Sequence, residues 1–400
     1  MKSFSIVSTG TLKAIHGANF VLDYLVKSKP YFKNVLFKKI YSSKEELNIE
    51  KGDNMPIGEG SETSSYRMKR GVRTLLRKLL SSNYLIGARI KEYLNYIGPA
   101  KQVARKVMND IEQSDWLIFQ EFHSAYYYLK LKKKYSVDKK TALIIHQADD
   151  SCGQFFATFP VFNKNGRQKV RILKMRDYVY ENIDRVIYIS QKAYNGSIAP
   201  EEKRCMIYNG IVDIPDALRS CKKNSDYINL VCVGSISGRK GQDVIIESLA
   251  LIPKEKRDFI KLYIVGEGSA KQDLEKHTMN LGLADNVFFM GLRSDVAEIL
   301  SNMDVYIMPS QNEGLSISSI EALRAGLFLL LTDAGGNCEV MGNDCGMVVT
   351  RNPKDVAKKI EMIIDNNIIS DEQKKRSVER FHQLFVLEKM AEGYERMILS

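Results

Sequence analysis

The sequence has no long hydrophobic run, and this excludes an integral membrane protein. Its longest close-knit apolar run extends only from Leu327 to Leu331, whereas a bilayer-spanning helix needs about 18–20 apolar residues. The apolar stretch near the N-terminus, residues 4–8, is too short for the hydrophobic region of a signal peptide. We therefore expect a cytoplasmic protein.

Cysteine is scarce, and the cysteines that occur are scattered. No Cys-x-x-Cys pair is present, so the sequence favours neither a disulfide framework nor a zinc site. The Asp-x-Asp triplet is also absent, so we predict no metal held in that way. The six cysteines are Cys152, Cys205, Cys221, Cys232, Cys338 and Cys345.

The first half of the chain has few acidic residues, whereas the second half does not. Residues 1–200 hold 34 basic and 18 acidic side chains, a net charge of +16, whereas residues 201–400 hold 25 and 30, a net charge of −5. This asymmetry predicts that the two halves have different partners, with an anionic partner for the first. An apolar fraction of 44% and a length of 400 residues indicate a folded protein of two domains.

Apolar runs rich in β-branched residues alternate along the chain with segments of helical period, which predicts an α/β fold with parallel sheets. The polar stretch 210–227 is the predicted linker between two doubly wound domains. Ligands of such domains bind at the carboxyl ends of the strands. Strands are predicted at 4–8, 34–43, 115–120, 141–146, 185–190 and 205–209, and again at 228–234, 259–266, 286–291, 304–310 and 327–332.

A basic turn opens a helix directly after the predicted strand 228–234. Its sequence, SISGRKG (235–241), combines small residues with Arg239 and Lys240. Helix N–H groups and fixed cations both favour an anion, so the turn predicts a phosphate site. A solvated basic turn without a ligand is the alternative, and the residues alone leave it open.

A second candidate site is the segment NEGLSISSIEALRAG (312–326), in which seven residues separate Glu313 from Glu321. Backbone N–H groups before the predicted helix can bind a diphosphate, and carboxylates can accept hydrogen bonds from sugar and ribose hydroxyls. For either glutamate alone, a helix cap or an exposed side chain is the plain alternative. The glycine loop DAGGNCE (333–339) follows the next strand and reaches the same edge.

Four segments together resemble the retaining GT-B glycosyltransferases of the "group 1" type, family 4. They are YNGIVD (208–213), VGSISGRKG (233–241), EGLSISSIE (313–321) and DAGGNCEVMGNDCGMVV (333–349). The resemblance is strong over about 205–350 and loose over 1–200. It implies two Rossmann-like domains facing a central cleft: an acceptor-binding domain, residues 1–212 joined by a C-terminal helix at about 384–400, and a nucleotide-sugar-binding domain, residues 213–383.

The resemblance also implies roles for single residues. Lys240 would bind the donor diphosphate, Glu313 the donor sugar and Glu321 the ribose. The implied catalytic residues are Glu313, His146 and His123, and the implied donor-binding residues are Gly17, Gly234, Arg239, Lys240, Gly314, Leu315, Ser316, Ile317 and Glu321. The sequence departs from the family at Ser235, where an Arg is usual, and at Gln120, where a His commonly ends the strand.

The function implied is that of a retaining, metal-independent hexosyltransferase. A nucleotide-sugar, expected to be a UDP-sugar, is its substrate, and no cofactor is expected. The acceptor would be a polysaccharide precursor, a lipid-linked glycan or a protein. Two alternatives remain: a catalytically silent binding subunit, which Ser235 and Gln120 favour mildly, and a nucleotide-sugar epimerase, which can share the fold.

Residues 67–94 have apolar residues on one face of a predicted helix and basic residues on the other. This pattern is typical of a helix that lies on an anionic membrane, here at the inner face of the cell membrane. An ordinary helix packed on the core is the equal alternative. No base-stacking module is present, so we expect no nucleic-acid partner. The basic residues are Arg67, Lys69, Arg70, Arg73, Arg77 and Lys78.

Overall fold

The chain, in a computed structural model that describes residues 1–10, 17–55, 84–110, 114–147, 152–219 and 227–400, forms two compact units. Unit 1 comprises Met1–Tyr208 and Met390–Ser400, and unit 2 comprises Asn209–Lys389. The domain boundaries predicted from the sequence, 212/213 and 383/384, differ from this division by four and six residues.

Unit 1 is built on a seven-stranded sheet with the order β3-β2-β1-β4-β5-β6-β7. All neighbouring strands are parallel except β2 and β3, which are antiparallel. The central strands are buried on both faces, as their continuous apolar sequences predict. The strands are Lys2–Val7 (β1), Val35–Tyr41 (β2), Glu46–Asn48 (β3), Trp116–Phe119 (β4), Lys140–Ile145 (β5), Arg185–Tyr188 (β6) and Arg204–Met206 (β7).

Helices connect these strands. A π-helical turn, Tyr93–Ile97, links the helix Leu85–Glu92 to the helix Gly98–Asn109. Single 3-10 turns occur at Lys29–Tyr31 and Glu201–Lys203. The helices described in unit 1 are Gly17–Lys27 (α1), Leu85–Glu92 (α2), Gly98–Asn109 (α3), Phe122–Tyr135 (α4), Gly153–Thr158 (α5), Pro160–Lys164 (α6), Gly166–Asn182 (α7) and Gln191–Asn195 (α8).

Unit 2 has a six-stranded sheet with the order β10-β9-β8-β11-β12-β13, and all of its neighbouring strands are parallel. Together the two sheets confirm the predicted α/β class with two parallel sheets. The strands are Ile228–Val233 (β8), Ile260–Val265 (β9), Val287–Gly291 (β10), Val305–Met308 (β11), Phe328–Leu331 (β12) and Gly346–Val348 (β13).

The helices of unit 2 alternate with its strands. A 3-10 turn at Asp216–Leu218 precedes the first strand. The helices are Gln242–Leu251 (α9), Lys254–Arg257 (α10), Lys271–Asn280 (α11), Val296–Ser301 (α12), Ile317–Arg324 (α13), Asn337–Met341 (α14), Pro353–Asp365 (α15), Asp371–Leu384 (α16) and Leu387–Leu399 (α17), the last of which ends in unit 1.

The C-terminal helix expected at about 384–400 corresponds to α17, Leu387–Leu399. It is separated from α16 by a short break, in which Val386 forms a parallel bridge with Ile211. Ile211 N donates to Phe385 O at 2.8 Å. Helical periodicity describes residues that are close in sequence. It therefore cannot predict a pairing between Ile211 and Val386.

Two short strands were not predicted. β3 pairs antiparallel at the edge of its sheet, and β13 is three residues long and pairs only with β12. Edge strands of this length do not need a continuous apolar sequence, so hydrophobic pattern does not identify them. β13 leads into the loop that contains Arg351.

The basic stretch that contains Arg67, Lys69, Arg70, Arg73, Arg77 and Lys78 lies outside the described residues. The prediction of a helix there therefore stays a prediction. Of the helices in the described ranges, none has the length and apolar character needed to cross a bilayer.

Candidate functional site

The carboxyl edge of the unit 2 sheet gathers loops that are far apart in sequence. Because all six strands are parallel, the loops that follow them emerge at one edge. The loops after β8, β11, β12 and β13 cover residues 234–241, 309–316, 332–336 and 349–352. Most residues that the sequence assigned to donor binding lie on the first two of these loops.

A buried ion pair joins the loop after β8 to the loop after β11. Lys240 Nζ lies 2.8 Å from Glu313 Oε1, and the two side chains are only 11% and 9% exposed. Arg239 Nη1 lies 3.5 Å from the same oxygen and donates to Asn312 O at 2.6 Å. One carboxylate is therefore shared by two cations, and removing either buried partner would leave the other charge poorly compensated.

Arg351 fixes the turn that carries these cations, although the sequence analysis did not single it out. Its Nη2 donates to Gly238 O at 2.7 Å, and its Nη1 donates to Arg239 O at 3.1 Å and Pro309 O at 2.9 Å. The guanidinium thus ties the loops after β8 and β11 together through three carbonyl groups. Its position shortly after a strand was a usable signal, but that strand, β13, was itself missed.

The backbone of Glu313 is in close contact with the glycine loop after β12. A Cβ atom on Gly335, whose φ is +55°, would lie 1.8 Å from Glu313 O. The next residue, Gly336, donates its N–H to Gly314 O at 2.6 Å. Only glycine permits this approach, so the loop 333–339 has a structural reason to contain Gly335.

The helix α13 begins where the sequence predicted. Ser316 is its N-cap residue, and its Oγ accepts a hydrogen bond from Ser319 N at 3.3 Å, the usual arrangement of a serine cap. Beneath the first turn, Tyr306 and Ser318 are joined through their hydroxyl oxygens at 2.7 Å. Burial raises the pKa of Tyr306 well above its usual value, so its hydroxyl stays neutral and hydrogen-bonded. Glu321 lies half-buried on α13.

At the carboxyl edge of the unit 1 sheet, Glu121 is a residue that sequence reasoning missed. It follows β4, and its carboxylate accepts hydrogen bonds from Ser8 Oγ at 3.1 Å, Thr9 N at 3.1 Å and Ser124 Oγ at 3.3 Å. Burial raises its pKa to about 7, although these hydrogen bonds act in the opposite direction. A carboxyl group next to a strand end was the available signal.

His146 and Gln120 form a pair at the same edge of unit 1. His146 Nε2 and Gln120 Oε1 are 2.5 Å apart. Gln120, which replaces the usual histidine of the family, therefore contacts His146, which matches the family. Burial lowers the pKa of His146 to about 4, so its ring is neutral at pH 7. A neutral ring with a fixed partner can position a substrate hydroxyl.

His123 lies in a different environment, inside the hydrophobic core of unit 1. It is 1% exposed, and its ring centroid is 3.9 Å from that of Phe122 and 5.2 Å from those of Tyr96 and Phe155. Burial, and then the charge of Arg171, lowers its pKa to about 3. This placement favours a packing role over the catalytic role predicted from the sequence.

The structure therefore brings Arg239, Lys240, Glu313 and the backbone of 314–317 together in unit 2. It places Gly234 directly after β8 and Gly17 at the first position of α1 in unit 1. Their roles in binding a donor stay predictions, as does the role of Glu321.

Residues 213–380 match the model of the family described as glycosyl transferases group 1. The chain is 36% identical over 121 residues to the lipopolysaccharide glucosyltransferase WaaG of Escherichia coli K12, a match that covers 30% of this chain and 32% of the relative. It is 26% identical over 223 residues to the O-antigen biosynthesis glycosyltransferase WclY of Escherichia coli, covering 54% and 61%. The matches thus span between a third and three fifths of these relatives.

The solved structure of Anabaena HepE in complex with UDP resembles the whole chain. The TM-score is 0.68 at 17% sequence identity, and the match covers 100% of both chains. At this identity the likeness shows the fold, which is the expected GT-B fold with two Rossmann-like domains.

We expect Gly335→Ala to disrupt the contact between the loops after β11 and β12. The added Cβ has no room beside Glu313 O, and the positive φ adds strain, so the variant should lose about 1–3 kcal/mol of the free energy of unfolding. Urea denaturation followed by circular dichroism measures this loss. Gly238→Ala is the matched control, because its Cβ would meet no atom within 4 Å; an equal loss in both variants would contradict the interpretation.

We expect the stability of the protein to depend on the protonation of Glu121. Its pKa of about 7 in the folded state lies above its usual value of 4.5, so the folded state binds the proton more tightly than the unfolded state. The contribution of this group to stability should therefore fall as the pH rises from about 4.5 to 7.

Replacing Glu121 by Gln removes this titration. Urea denaturation at pH 5, 6, 7 and 8 should show that the wild type loses stability relative to Glu121→Gln as the pH rises. The exposed Glu201 provides the control variant Glu201→Gln, which should keep a constant difference from the wild type. A constant difference for Glu121→Gln as well would show that this carboxyl group titrates normally.

Proposed function

We propose that this chain transfers a sugar from a nucleoside-diphosphate sugar, expected to be a UDP-sugar, to a glycan acceptor, because residues 213–380 match the model of the group 1 glycosyltransferase family. The observation that carries this proposal is the buried pair of Lys240 and Glu313 beside the start of α13. It provides a cation, a carboxylate and helix N–H groups within one set of loops.

Lys240 and Arg239 would bind the diphosphate of the donor. Charge-assisted hydrogen bonds to phosphate oxygens are strong, and the start of a helix adds favourable N–H groups. Arg239 is half-exposed and its guanidinium already lies near Glu313, so it can replace the arginine that the family usually has at the position of Ser235. Because Arg351 fixes the turn, the two cations are held in place before the donor binds.

The reaction breaks the bond between the anomeric carbon and the diphosphate oxygen. Negative charge then grows on the leaving phosphate, and the fixed cations and N–H groups stabilise it in the transition state. The acceptor hydroxyl forms the new bond to the anomeric carbon, and its proton passes to the departing phosphate oxygen. We propose that this occurs on the same face of the sugar, so that the anomeric configuration is retained, and without a metal ion.

Glu313 would orient the donor sugar. Its Oε1 is paired with Lys240 and Arg239, and the remaining lone pairs of the carboxylate can accept hydrogen bonds from sugar hydroxyls. When the diphosphate binds Lys240 and Arg239, their electrostatic attraction to Glu313 would weaken. Donor binding would thereby release the carboxylate for the sugar.

The acceptor is proposed to bind unit 1. The relatives WaaG and WclY are described as lipopolysaccharide and O-antigen biosynthesis enzymes, which supports a polysaccharide precursor or a lipid-linked glycan over a protein. At the carboxyl edge of unit 1, Glu121 and His146 are the groups available to contact acceptor hydroxyls.

We also propose that unit 1 contacts an anionic membrane. Four apolar side chains are exposed from α2 through the π-helical turn, namely Ile86 at 72%, Ile90 at 41%, Tyr93 at 55% and Leu94 at 62%. Their spacing of i, i+4, i+7 and i+8 puts them on one helical face. Arg89 is exposed beside them, so the face combines apolar insertion with attraction to anionic headgroups.

We expect Lys240→Ala and Glu313→Ala to separate donor binding from transfer. Loss of the Lys240 ammonium should weaken UDP binding at least tenfold, since a charge-assisted hydrogen bond contributes about 1.5–3 kcal/mol. Loss of the Glu313 carboxylate should lower kcat by two orders of magnitude or more while UDP still binds, because the two cations stay. Isothermal titration with UDP and a transfer assay with a UDP-sugar and a lipid-linked glycan measure the two effects.

Lys256→Ala is the matched control, because Lys256 forms an exposed ion pair with Asp365 at 2.8 Å in the same unit. It should leave both UDP binding and transfer unchanged. Normal turnover in Glu313→Ala would refute the proposed role. UDP binding without any transfer would favour the silent-subunit alternative, and conversion of the donor without an acceptor would favour the epimerase.

We expect Ile86→Glu combined with Leu94→Glu to reduce membrane association. Flotation with vesicles that contain anionic lipids should recover the wild type at low salt and release it at high salt, and the double variant should float several-fold less. Ile198→Glu is the control, because Ile198 is 55% exposed in unit 1 but lies outside α2. Equal flotation of the double variant and the wild type would contradict this docking surface.

A further inference from the structure

A groove between α4 and α7 in unit 1 has no role in the site described above. It has a volume of about 610 Å³ and is lined by tyrosine and basic side chains, a size within the range of small-ligand sites. We call it the tyrosine groove and define it by Tyr126, Tyr127, Lys130, Arg167, Lys174 and Tyr178.

Three tyrosine rings, together with Val170 and Met175, line the tyrosine groove. The rings of Tyr126 and Tyr178 have centroids 5.4 Å apart, and that of Tyr127 lies 5.2 Å from Tyr126, in edge-to-face contacts. All three side chains are half-buried, so the rings are held but still reachable. A tyrosine offers a flat apolar face and a hydroxyl in one side chain, and these match the face and the hydroxyls of a sugar ring.

The basic side chains of the groove are available for a ligand. Lys130 Nζ lies 4.9 Å from the Tyr126 ring centroid and 5.9 Å from that of Tyr178. Arg167 and Lys174 are exposed, and neither has an ion pair or hydrogen bond with any described part of the chain. The groove therefore carries three positive charges that carboxylates of the described residues do not neutralise.

Arg171 also lines the groove, but unlike Arg167 and Lys174 it forms an ion pair within the protein. Its Nη2 lies 2.7 and 2.6 Å from the two carboxylate oxygens of Glu92, which is 1% exposed. Its Nε also donates to Gln168 Oε1 at 2.9 Å. The guanidinium of Arg171 is thus paired within the protein and links α7 to α2. Its neighbours Arg167 and Lys174 are exposed to solvent.

The topology places the tyrosine groove near the carboxyl edge of the unit 1 sheet. α4 starts directly after β4, and α7 runs toward the start of β6, so both helices begin at the carboxyl edge. Tyr126 and Arg167 lie within about five residues of these starts. Ligands of such sheets bind at this edge.

We propose that the tyrosine groove binds an acidic oligosaccharide, as a carboxylate- or phosphate-bearing segment of the acceptor. This rests on the proposed function and specifies its acceptor. The clustered rings and the three cations line the same groove, so sugar faces can pack against the rings while acidic groups meet Lys130, Arg167 and Lys174. A membrane surface fits less well, because the rings are recessed in a concave groove rather than projecting as on α2.

The test measures binding of fluorescently labelled hexagalacturonate to the full chain. The double variant Arg167→Glu with Lys174→Glu should bind at least tenfold more weakly than the wild type. The matched control is Lys133→Glu with Lys169→Glu, which has the same charge change on the same two helices at exposed residues outside the groove lining. The control should stay within about threefold of the wild type.

Two further arms test the chemistry of recognition. The methyl ester of hexagalacturonate, which is neutral and of equal length, should bind at least tenfold more weakly to the wild type. Tyr178→Leu should weaken hexagalacturonate binding several-fold at high salt, where stacking persists and charge attraction is screened.

The proposal is overturned if the two double variants bind hexagalacturonate equally weakly, because a general charge effect would then suffice. It is also overturned if the groove variant loses flotation with anionic vesicles but binds hexagalacturonate normally, which would assign the groove to lipid. UDP titration of each variant keeps the outcomes separate: UDP binding without hexagalacturonate binding removes this inference alone, and the reverse result removes the proposed donor site.

Discussion

The ion pair between Lys240 and Glu313 is the interaction on which the rest of the unit 2 site depends. Its two residues follow different strands, and both side chains are largely withdrawn from water, so each needs the other. Arg351 holds the turn before Lys240, and the glycine loop holds the backbone of Glu313. Four loops must therefore meet, and a wholly parallel sheet brings them to one edge.

Each unit has a carboxyl group at the carboxyl edge of its sheet, but the two environments differ. Glu313 is paired with two cations, Lys240 and Arg239. Glu121 is held by hydroxyl and N–H donors, without an ion pair among the described residues, and burial raises its pKa to about 7. The carboxyl group of unit 2 forms ion pairs, whereas that of unit 1 can change its protonation state near neutral pH.

The excess positive charge of the first half has more than one location in the structure. Nine basic residues lie on α4 and α7, against two acidic ones, and some of them line the tyrosine groove. α2 and the turn after it instead expose a mainly apolar face with Arg89 beside it. A concave surface with recessed rings and a convex surface with projecting apolar side chains suit different anionic partners, a glycan and a lipid surface.

The sequence by itself determined the α/β class, the long buried strands, the start of α13 and the segments that carry Lys240 and Glu313, because hydrophobic period and local motifs are properties of adjacent residues. It did not reveal Arg351, whose partner Gly238 is 113 residues away, or Glu121, whose partner Thr9 is 112 residues away. It also assigned a catalytic role to His123, which the structure buries among aromatic rings. Only the tertiary structure decided these points, because burial and long-range hydrogen bonds arise when strands distant in sequence become neighbours.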